Sequence, residues 1–199
     1  MSTDNVVDTK RRRFLVNSTS VVAAVGAGFV AVPFVSSWMP SERAKNAGAP
    51  VEVDISKLEE GRLMIVEWQS KPVWIVKRSE KTLADLTTLD ENLRDPASEN
   101  VDQQPAYAQN ASRSIKPEIA VLVGICTHLG CSPTFRPDIA AADLGADWLG
   151  GFFCPCHSSK FDLAGRVFQG VPAPTNLVVP PHKYLSDNVI LVGEDEGAA

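Results

Sequence analysis

Hydrophobic positions change their spacing several times along this chain, and each change predicts an element. No charged residue occurs from Phe14 through Ser41, and the centre of that stretch, Val21 to about Trp38, is nearly all apolar. A cleaved export signal carries an apolar region of roughly 7–15 residues, whereas a membrane-spanning helix needs about 20. The length therefore predicts one N-terminal transmembrane helix, an anchor over residues 14–40. Gly26, Gly28 and Pro33 weaken a helix in water but are tolerated in lipid. Trp38 stands where an interfacial aromatic anchor belongs.

Beyond Pro50 the spacing shortens to that of strands. Val51-Glu-Val-Asp-Ile55 alternates apolar and polar, as a half-buried strand does. Arg62–Glu67 and Val73–Lys77 read as two more strands, separated by Ser70-Lys71-Pro72. Thr82-x-x-Asp85 reads as a weak capping box, and Leu83, Leu86, Leu89 and Leu93 then fall at helical spacing, predicting one short helix with a core-facing side. Residues 95–117, with their Pro, Asn, Gln and Ser, read as a long loop. The β-branched run Ile119–Ile125 and the pair Phe152-Phe153 each lead into a segment holding cysteine and histidine, and Arg166–Phe168 and Asn188–Val192 suggest closing strands. Strand, loop, strand, loop is the layout of a mainly β domain that presents side chains at its tip.

Composition narrows the partners. The chain has 199 residues, 44% of them hydrophobic and 22% charged, which suits one soluble domain plus a tether. Its net charge of −5 excludes nucleic acid as a partner, because phosphate binding needs a basic surface.

All four cysteines and two of the three histidines lie in two segments, Cys126-Thr-His128-Leu-Gly-Cys131 and Cys154-Pro-Cys156-His157. Each segment offers one thiolate and one imidazole and keeps a second cysteine in reserve. A 2Fe-2S cluster with one iron on two Cys and the other on two His needs that set. Tetrahedral zinc on two Cys and two His is the alternative. Its ligand spacings differ from these, with His128 only two places after Cys126, and it leaves the second cysteine pair unexplained.

The pair C-x-H-x-G-C and C-P-C-H resembles the signature of the Rieske iron–sulfur proteins. The continuation Ser158-Ser159-Lys160-Phe161-Asp162-Leu-Ala-Gly165-Arg166 resembles their quinol-oxidising branch, that of the bacterial cytochrome bc complex. The resemblance implies the Rieske fold, an antiparallel β base with a smaller cluster-binding subdomain over about 125–174. It implies one Rieske-type 2Fe-2S cluster, with Cys126 and Cys154 on one iron and His128 and His157 on the other. Spacing alone does not choose the ligand within each cysteine pair; the family pattern does, and it implies that Cys131 and Cys156 form a disulfide. That disulfide points to an oxidising compartment.

The implied activity is that of an electron-transfer subunit in a quinol–cytochrome c oxidoreductase. The implied partners are ubiquinol, a cytochrome b subunit and a membrane-bound c-type cytochrome, within a dimeric parent complex in the inner membrane. Imidazoles in place of thiolates leave the cluster less negative and raise its potential, and a ligand imidazole keeps an outward nitrogen for a proton. By the resemblance, His157 contacts the quinol and accepts its proton, while Leu129 shields the cluster. Ser159 matches a serine that hydrogen-bonds a bridging sulfide, and the proline-rich stretch Gly170-Val-Pro172-Ala-Pro174 covers one side. Two positions depart from the family. Phe161 stands where a tyrosine hydroxyl often bonds a cysteine sulfur, which predicts a lower potential. Ser158 stands where glycine is common, so any positive φ there comes at some cost. His182 has no ligand partner nearby in sequence and reads as a surface or packing histidine.

Location follows from the N-terminus. Arg11-Arg12-Arg13-Phe14-Leu15 resembles a twin-arginine export signal. Basic residues are heavier before the span than after it, where Arg43 and Lys45 follow Glu42, so the head faces the periplasm and residues 1–13 stay cytoplasmic. Cleavage after Ala47-Gly48-Ala49 is the alternative. The polar, Ala-rich link of residues 41–50 reads as a hinge, with a reach of about 30 Å when extended, joining the anchor to a periplasmic domain over 51–199. Two rivals share the metal motif: the Rieske subunit of another periplasmic enzyme such as arsenite oxidase, and a soluble Rieske ferredoxin. The apolar span and the Leu129-Gly130 pair lean against the first, and the export signal, span and second cysteine pair against the second.

Overall fold

The structure, a computed structural model, describes residues 8–41, 44 and 48–196. The chain divides into two compact units, residues 1–46 and 47–199. Much of the expected hinge (residues 42, 43 and 45–47) lies outside the described residues, as do residues 1–7 of the expected cytoplasmic segment.

The first unit is one helix, α1, Thr9–Ser36. Its 28 residues span about 42 Å, enough to cross a hydrocarbon core of about 30 Å. The side chain of Asp8 caps it, accepting from the backbone N–H of Lys10 and of Arg11. The arginine run therefore forms the opening turns of the helix instead of preceding it. Four cations there oppose the positive end of the helix dipole, and Asp8 is the group that offsets them locally. The helix stops at Ser36, so Trp38 and Pro40 lie beyond it. Pro33, inside the helix, accepts from the Ser37 N–H through its carbonyl at 3.0 Å.

The second unit is built from three antiparallel three-stranded sheets. The strands are β1 Val51–Asp54, β2 Leu63–Trp68, β3 Lys71–Lys77, β4 Ile119–Val123, β5 Thr134–Arg136, β6 Gly151–Cys154, β7 Ser159–Phe161, β8 His182–Ser186 and β9 Val189–Val192. Their orders are β1-β9-β8, β2-β3-β4 and β5-β6-β7. A helix, α2, Glu80–Thr88, and three 3-10 turns fill the connection from β3 to β4.

Strands β3 and β4 form the wall between two cores. Register places Trp74 opposite Leu122, Ile75 opposite Val121 and Val76 opposite Ala120. Side chains alternate between faces, so Trp74, Val76, Ala120 and Leu122 enter one core while Val73, Ile75, Ile119 and Val121 enter the other. Buried on both sides, the two strands read as continuous apolar runs. The first core reaches the third sheet, where Trp74 stacks on Phe152 at 4.7 Å between ring centroids. Cys126 and Cys154 belong to this same core.

Several local expectations are corrected. The turn before β3 is Gln69-Ser70, not Ser70-Lys71-Pro72. Both turn residues have positive φ, as a two-residue type I′ hairpin requires, and Lys71 and Pro72 already lie in the strand. Helix α2 is capped by Ser79, whose hydroxyl accepts the Thr82 N–H at 3.2 Å. Asp85 is no capping partner; it pairs along the helix with Lys81. Leu86 and Leu89 are buried as expected, but Leu93 lies beyond the helix, at an isolated bridge to Phe168. Arg166–Phe168 forms such bridges and no strand. Segment 95–117 is irregular yet packed, with Arg113 fully buried. His182 is a buried packing residue at 1% exposure, its ring edge-on to Tyr107.

Gly151 opens β6 where the strand is pressed against β7. A methyl group at this position would lie 2.0 Å from the Phe161 carbonyl oxygen, a backbone atom that cannot swing aside. Gly151→Ala is expected to cost about 1–3 kcal/mol through overpacking, lowering Tm by roughly 3–10 °C. Calorimetry on the full chain checks this, and an unchanged Tm would refute the steric argument.

Candidate metal centre

Three loops meet at one end of the head. The first leaves β4 through Gly124-Ile125 and runs from Cys126 to Cys131. It closes on itself: the Cys126 N–H donates to the Cys131 carbonyl at 2.7 Å, and the Gly130 N–H to the Cys126 carbonyl at 3.0 Å. Gly124 is required on the way, because a Cβ there would come within 2.2 Å of the Trp74 ring. The second loop is the tip of the β6–β7 hairpin, where Cys154 pairs with Ser159 across the strands. Its turn is closed by the Ser158 N–H on the Cys154 carbonyl at 2.9 Å. Ser158 has φ +61°, so this position does take the left-handed conformation that favours glycine.

The third loop is the proline-rich stretch. Its hold on the other two comes through main-chain groups: the Ala173 N–H donates to Ser159 Oγ at 3.1 Å, and Thr127 Oγ donates to the Thr175 carbonyl at 2.7 Å. Ala173 is buried, whereas Pro172 is exposed. The Cys131–Cys156 disulfide joins the first two loops, with Cα atoms 6.7 Å apart, inside the usual range.

This closure leaves two free thiols, Cys126 and Cys154, both 2% exposed. Burial pushes the Cys126 thiol up from its usual range. The His128 backbone N–H and the Ser159 hydroxyl act the other way on the same sulfur. The imidazoles of His128 and His157 stand above, centroids 4.7 Å apart and nearly perpendicular. His157 is exposed and His128 half-buried. Nδ1 of His128 is buried and has no hydrogen-bond partner. A buried polar atom without a partner is costly, and a metal bond is one way to satisfy it.

The donor set tests which group fits. Among the described residues, Cys131, Cys154 and Cys156 bring three sulfurs within 4.8 Å of one another. Two of those are spent in the disulfide and are not thiolates. The free donors are two thiols and two imidazoles, and their two-sulfur, two-nitrogen chemistry fits a binuclear Rieske centre. Cys126 and Cys154 would hold it from the core side, and His128 and His157 from the solvent side.

The other predicted residues fall at or beside this tip. Ser159 is fully buried under it, and Phe161 lies in the same apolar cluster as the two thiols. Leu129 is 71% exposed beside His128, which excludes a core role for it. Sequence reading missed Thr127 and Ala173, which tie the third loop down. It also missed the turn beneath, where Asp162 accepts from the N–H of Ala164 and of Arg166 and from Arg166 Nε at 2.7 Å. An Asp four residues before an Arg in a short Gly turn was the only sequence signal for it.

Known proteins agree with this geometry. Residues 51–181 match the Rieske [2Fe-2S] domain, and residues 1–41 match the ubiquinol-cytochrome c reductase Fe-S subunit TAT signal. The ubiquinol-cytochrome c reductase iron-sulfur subunit of Allochromatium vinosum is 63% identical, covering 97% of this chain and 93% of its own. That of Blastochloris viridis is 37% identical, covering 97% and 98%. The mitochondrial cytochrome b-c1 complex subunit Rieske of Candida albicans is 38% identical over 90% of this chain and 75% of its own. With a signal match at one end, a Rieske match over the head and relatives alike along nearly the whole length, the chain belongs to the Rieske [2Fe-2S] family, among the iron–sulfur subunits of ubiquinol-cytochrome c reductases.

Proposed function

We propose that this chain is the electron-transfer subunit of a quinol–cytochrome c oxidoreductase, taking one electron and one proton from ubiquinol and passing the electron to a c-type cytochrome. The observation that carries the reading is the pairing of two buried free thiols with two outward imidazoles at a disulfide-locked tip. A Rieske 2Fe-2S cluster, when bound, supplies a one-electron acceptor of raised potential.

The chain's own residues supply the rest. Cys126 and Cys154 hold the centre from the apolar side and exclude water there. His157, exposed at the tip, offers an outward ring nitrogen that accepts a hydrogen bond from a quinol hydroxyl and then the proton. His128 is the second imidazole ligand, and its Nδ1 gains the partner it otherwise lacks. Leu129 presents an apolar surface beside the two rings, suited to a quinone pocket in a cytochrome b subunit. Ser159 donates into the centre while its oxygen holds the Ala173 N–H, so the same hydroxyl fixes the cover loop.

The layout that supports this role has residues 1–13 in the cytoplasm and an anchor over 14–40. Residues 41–50 act as a hinge, and the periplasmic head covers 51–199, with the cluster-binding part at about 125–174. Helix α1 is long and apolar enough to cross a membrane, and the signal match over residues 1–41 supports export by the twin-arginine route. Extraction from membranes in mild detergent tests the assignment. Haem b and haem c should co-purify with the chain, and their absence would overturn it.

Three further outcomes are expected. His157→Ala should abolish the electron paramagnetic resonance of a reduced 2Fe-2S centre and lower bound iron; an intact signal would remove His157 from the ligand set. Phe161→Tyr should raise the midpoint potential by giving a cysteine sulfur a hydroxyl donor; a voltammetric midpoint that stays or drops would contradict this. Replacing Cys131 and Cys156 together by Ser opens a loop of 25 residues, which costs about 3.5 kcal/mol on the chain-entropy relation. The corresponding fall in Tm is roughly 7–14 °C, measurable by calorimetry.

A further inference from the structure

The proline-rich loop, residues 170–174, lies in no strand of its own. Both of its ends are nevertheless pinned to one distant segment, residues 91–95, which follows helix α2. At the leading end the Gln169 N–H donates to the Asn92 carbonyl at 2.8 Å. The Gln169 side-chain amide donates to the Leu93 carbonyl at 2.9 Å and to the Glu91 carbonyl at 3.3 Å, and Arg94 Nη2 reaches the Val171 carbonyl at 3.2 Å. At the trailing end Asn176, fully buried, donates through Nδ2 to the Asp95 carbonyl at 3.0 Å. Its Oδ1 accepts the Val167 N–H at 2.9 Å, tying the trailing end back to the chain that enters the loop.

Between these two ends stands the Ala173 N–H, which donates to Ser159 Oγ at 3.1 Å, with both residues at 0% exposure. A serine hydroxyl has one proton and two lone pairs. With an N–H already on one lone pair, its proton points elsewhere, and at this depth bulk water is not there to take it. The partner is a sulfur: the Ser159 hydroxyl bonds the Cys126 side chain, and Ser159 stands opposite Cys154 in the β6–β7 register. Accepting the Ala173 N–H also polarises the hydroxyl and strengthens the bond it donates.

We infer that Asn176 and Gln169 are positioning residues for the centre held by Cys126, His128, Cys154 and His157: by pinning the cover loop at both ends they keep the Ala173 N–H on Ser159 Oγ and so aim the serine proton at sulfur. A hydroxyl donated to sulfur favours the form with more negative charge there, which is the reduced centre. Loss of either pin lets residues 170–174 lift, frees the Ser159 hydroxyl to turn, and lowers the reduction potential without touching a ligand. Leucine in place of Asn176 keeps the volume but leaves the buried Val167 N–H without a partner, so that pin is the stronger one. This inference rests on the cluster-binding reading above.

The test is an electron paramagnetic resonance redox titration of the full chain in mild detergent, on wild type, Asn176→Leu, Gln169→Leu, Ser159→Ala and each pin variant combined with Ser159→Ala. Asn176→Leu should reduce the equilibrium constant for reduction about threefold or more, a fall of about 28 mV at 59 mV per tenfold. Gln169→Leu, which keeps the main-chain bond to Asn92, should shift the midpoint the same way by less. Both shifts should shrink to less than about half once Ser159 is alanine, because the hydroxyl through which the loop acts is gone. A merely structural role would lower Tm and leave the midpoint unmoved or raised, or would shift it as much without the Ser159 hydroxyl as with it, and any of these overturns the inference. Should Asn176→Leu not accumulate, the exposed Gln169 decides alone: a fall that shrinks in the Ser159→Ala background supports, and no fall or an undiminished one overturns. A wild-type chain with no 2Fe-2S signal would instead sink the cluster-binding reading.

Discussion

The head is organised around burying two thiols without burying the two imidazoles beside them. Cys126 sits three residues past the end of β4 and Cys154 ends β6, so each thiol is carried to the tip by a strand already fixed in the core. The imidazoles follow two and three residues later, on turns that have left the core. That offset gives a centre with one apolar side and one wet side. It works only if the two strand ends stay in register, and Trp74 stacked on Phe152 spans the sheets that carry them.

Polar contacts then lock what the core brings together. The disulfide joins the first loop to the second, Thr127 joins the first to the third, and Ser159 joins the second to the third. Each pair of loops is tied once, so no loop hangs from a single attachment. Below them the turn at residues 162–166 has its main-chain groups filled by Asp162 and by guanidinium donors from distant segments. Segment 95–117 is therefore structural packing under the site, although it contains no strand and only single 3-10 turns.

Much of this was legible in the sequence. Strands β1 to β4 and β9 carry either alternation or an unbroken β-branched run, because each faces one core or two. The gathering of Cys126, His128, Cys154 and His157 was legible from spacing and family resemblance together. Strands β5, β7 and β8 were not: β5 and β7 have three residues each and owe their form to a neighbour, β7 because the hairpin tip returns the chain onto β6, and β8 carries polar residues at both ends and no apolar run. The cap of α2 was misplaced because Thr82 and Ser79 are both hydroxyl residues near the helix start, and only the backbone angle at Ser79 decides between them. The role of Arg113 left no pattern, since guanidinium-to-carbonyl bonds depend on main-chain geometry and not on residue type.

Ser158 holds its left-handed angle between His157 and Ser159, two residues with opposite tolerances. Glycine at 158 would relax that angle, worth on the order of 1 kcal/mol, yet it would also enlarge the ensemble of the unfolded chain by a comparable amount. The two effects act against each other, so exchange between serine and glycine at this site is close to neutral for folding. Drift is therefore cheap at 158 and expensive one residue on, where a single hydroxyl serves both a sulfur and a neighbouring loop.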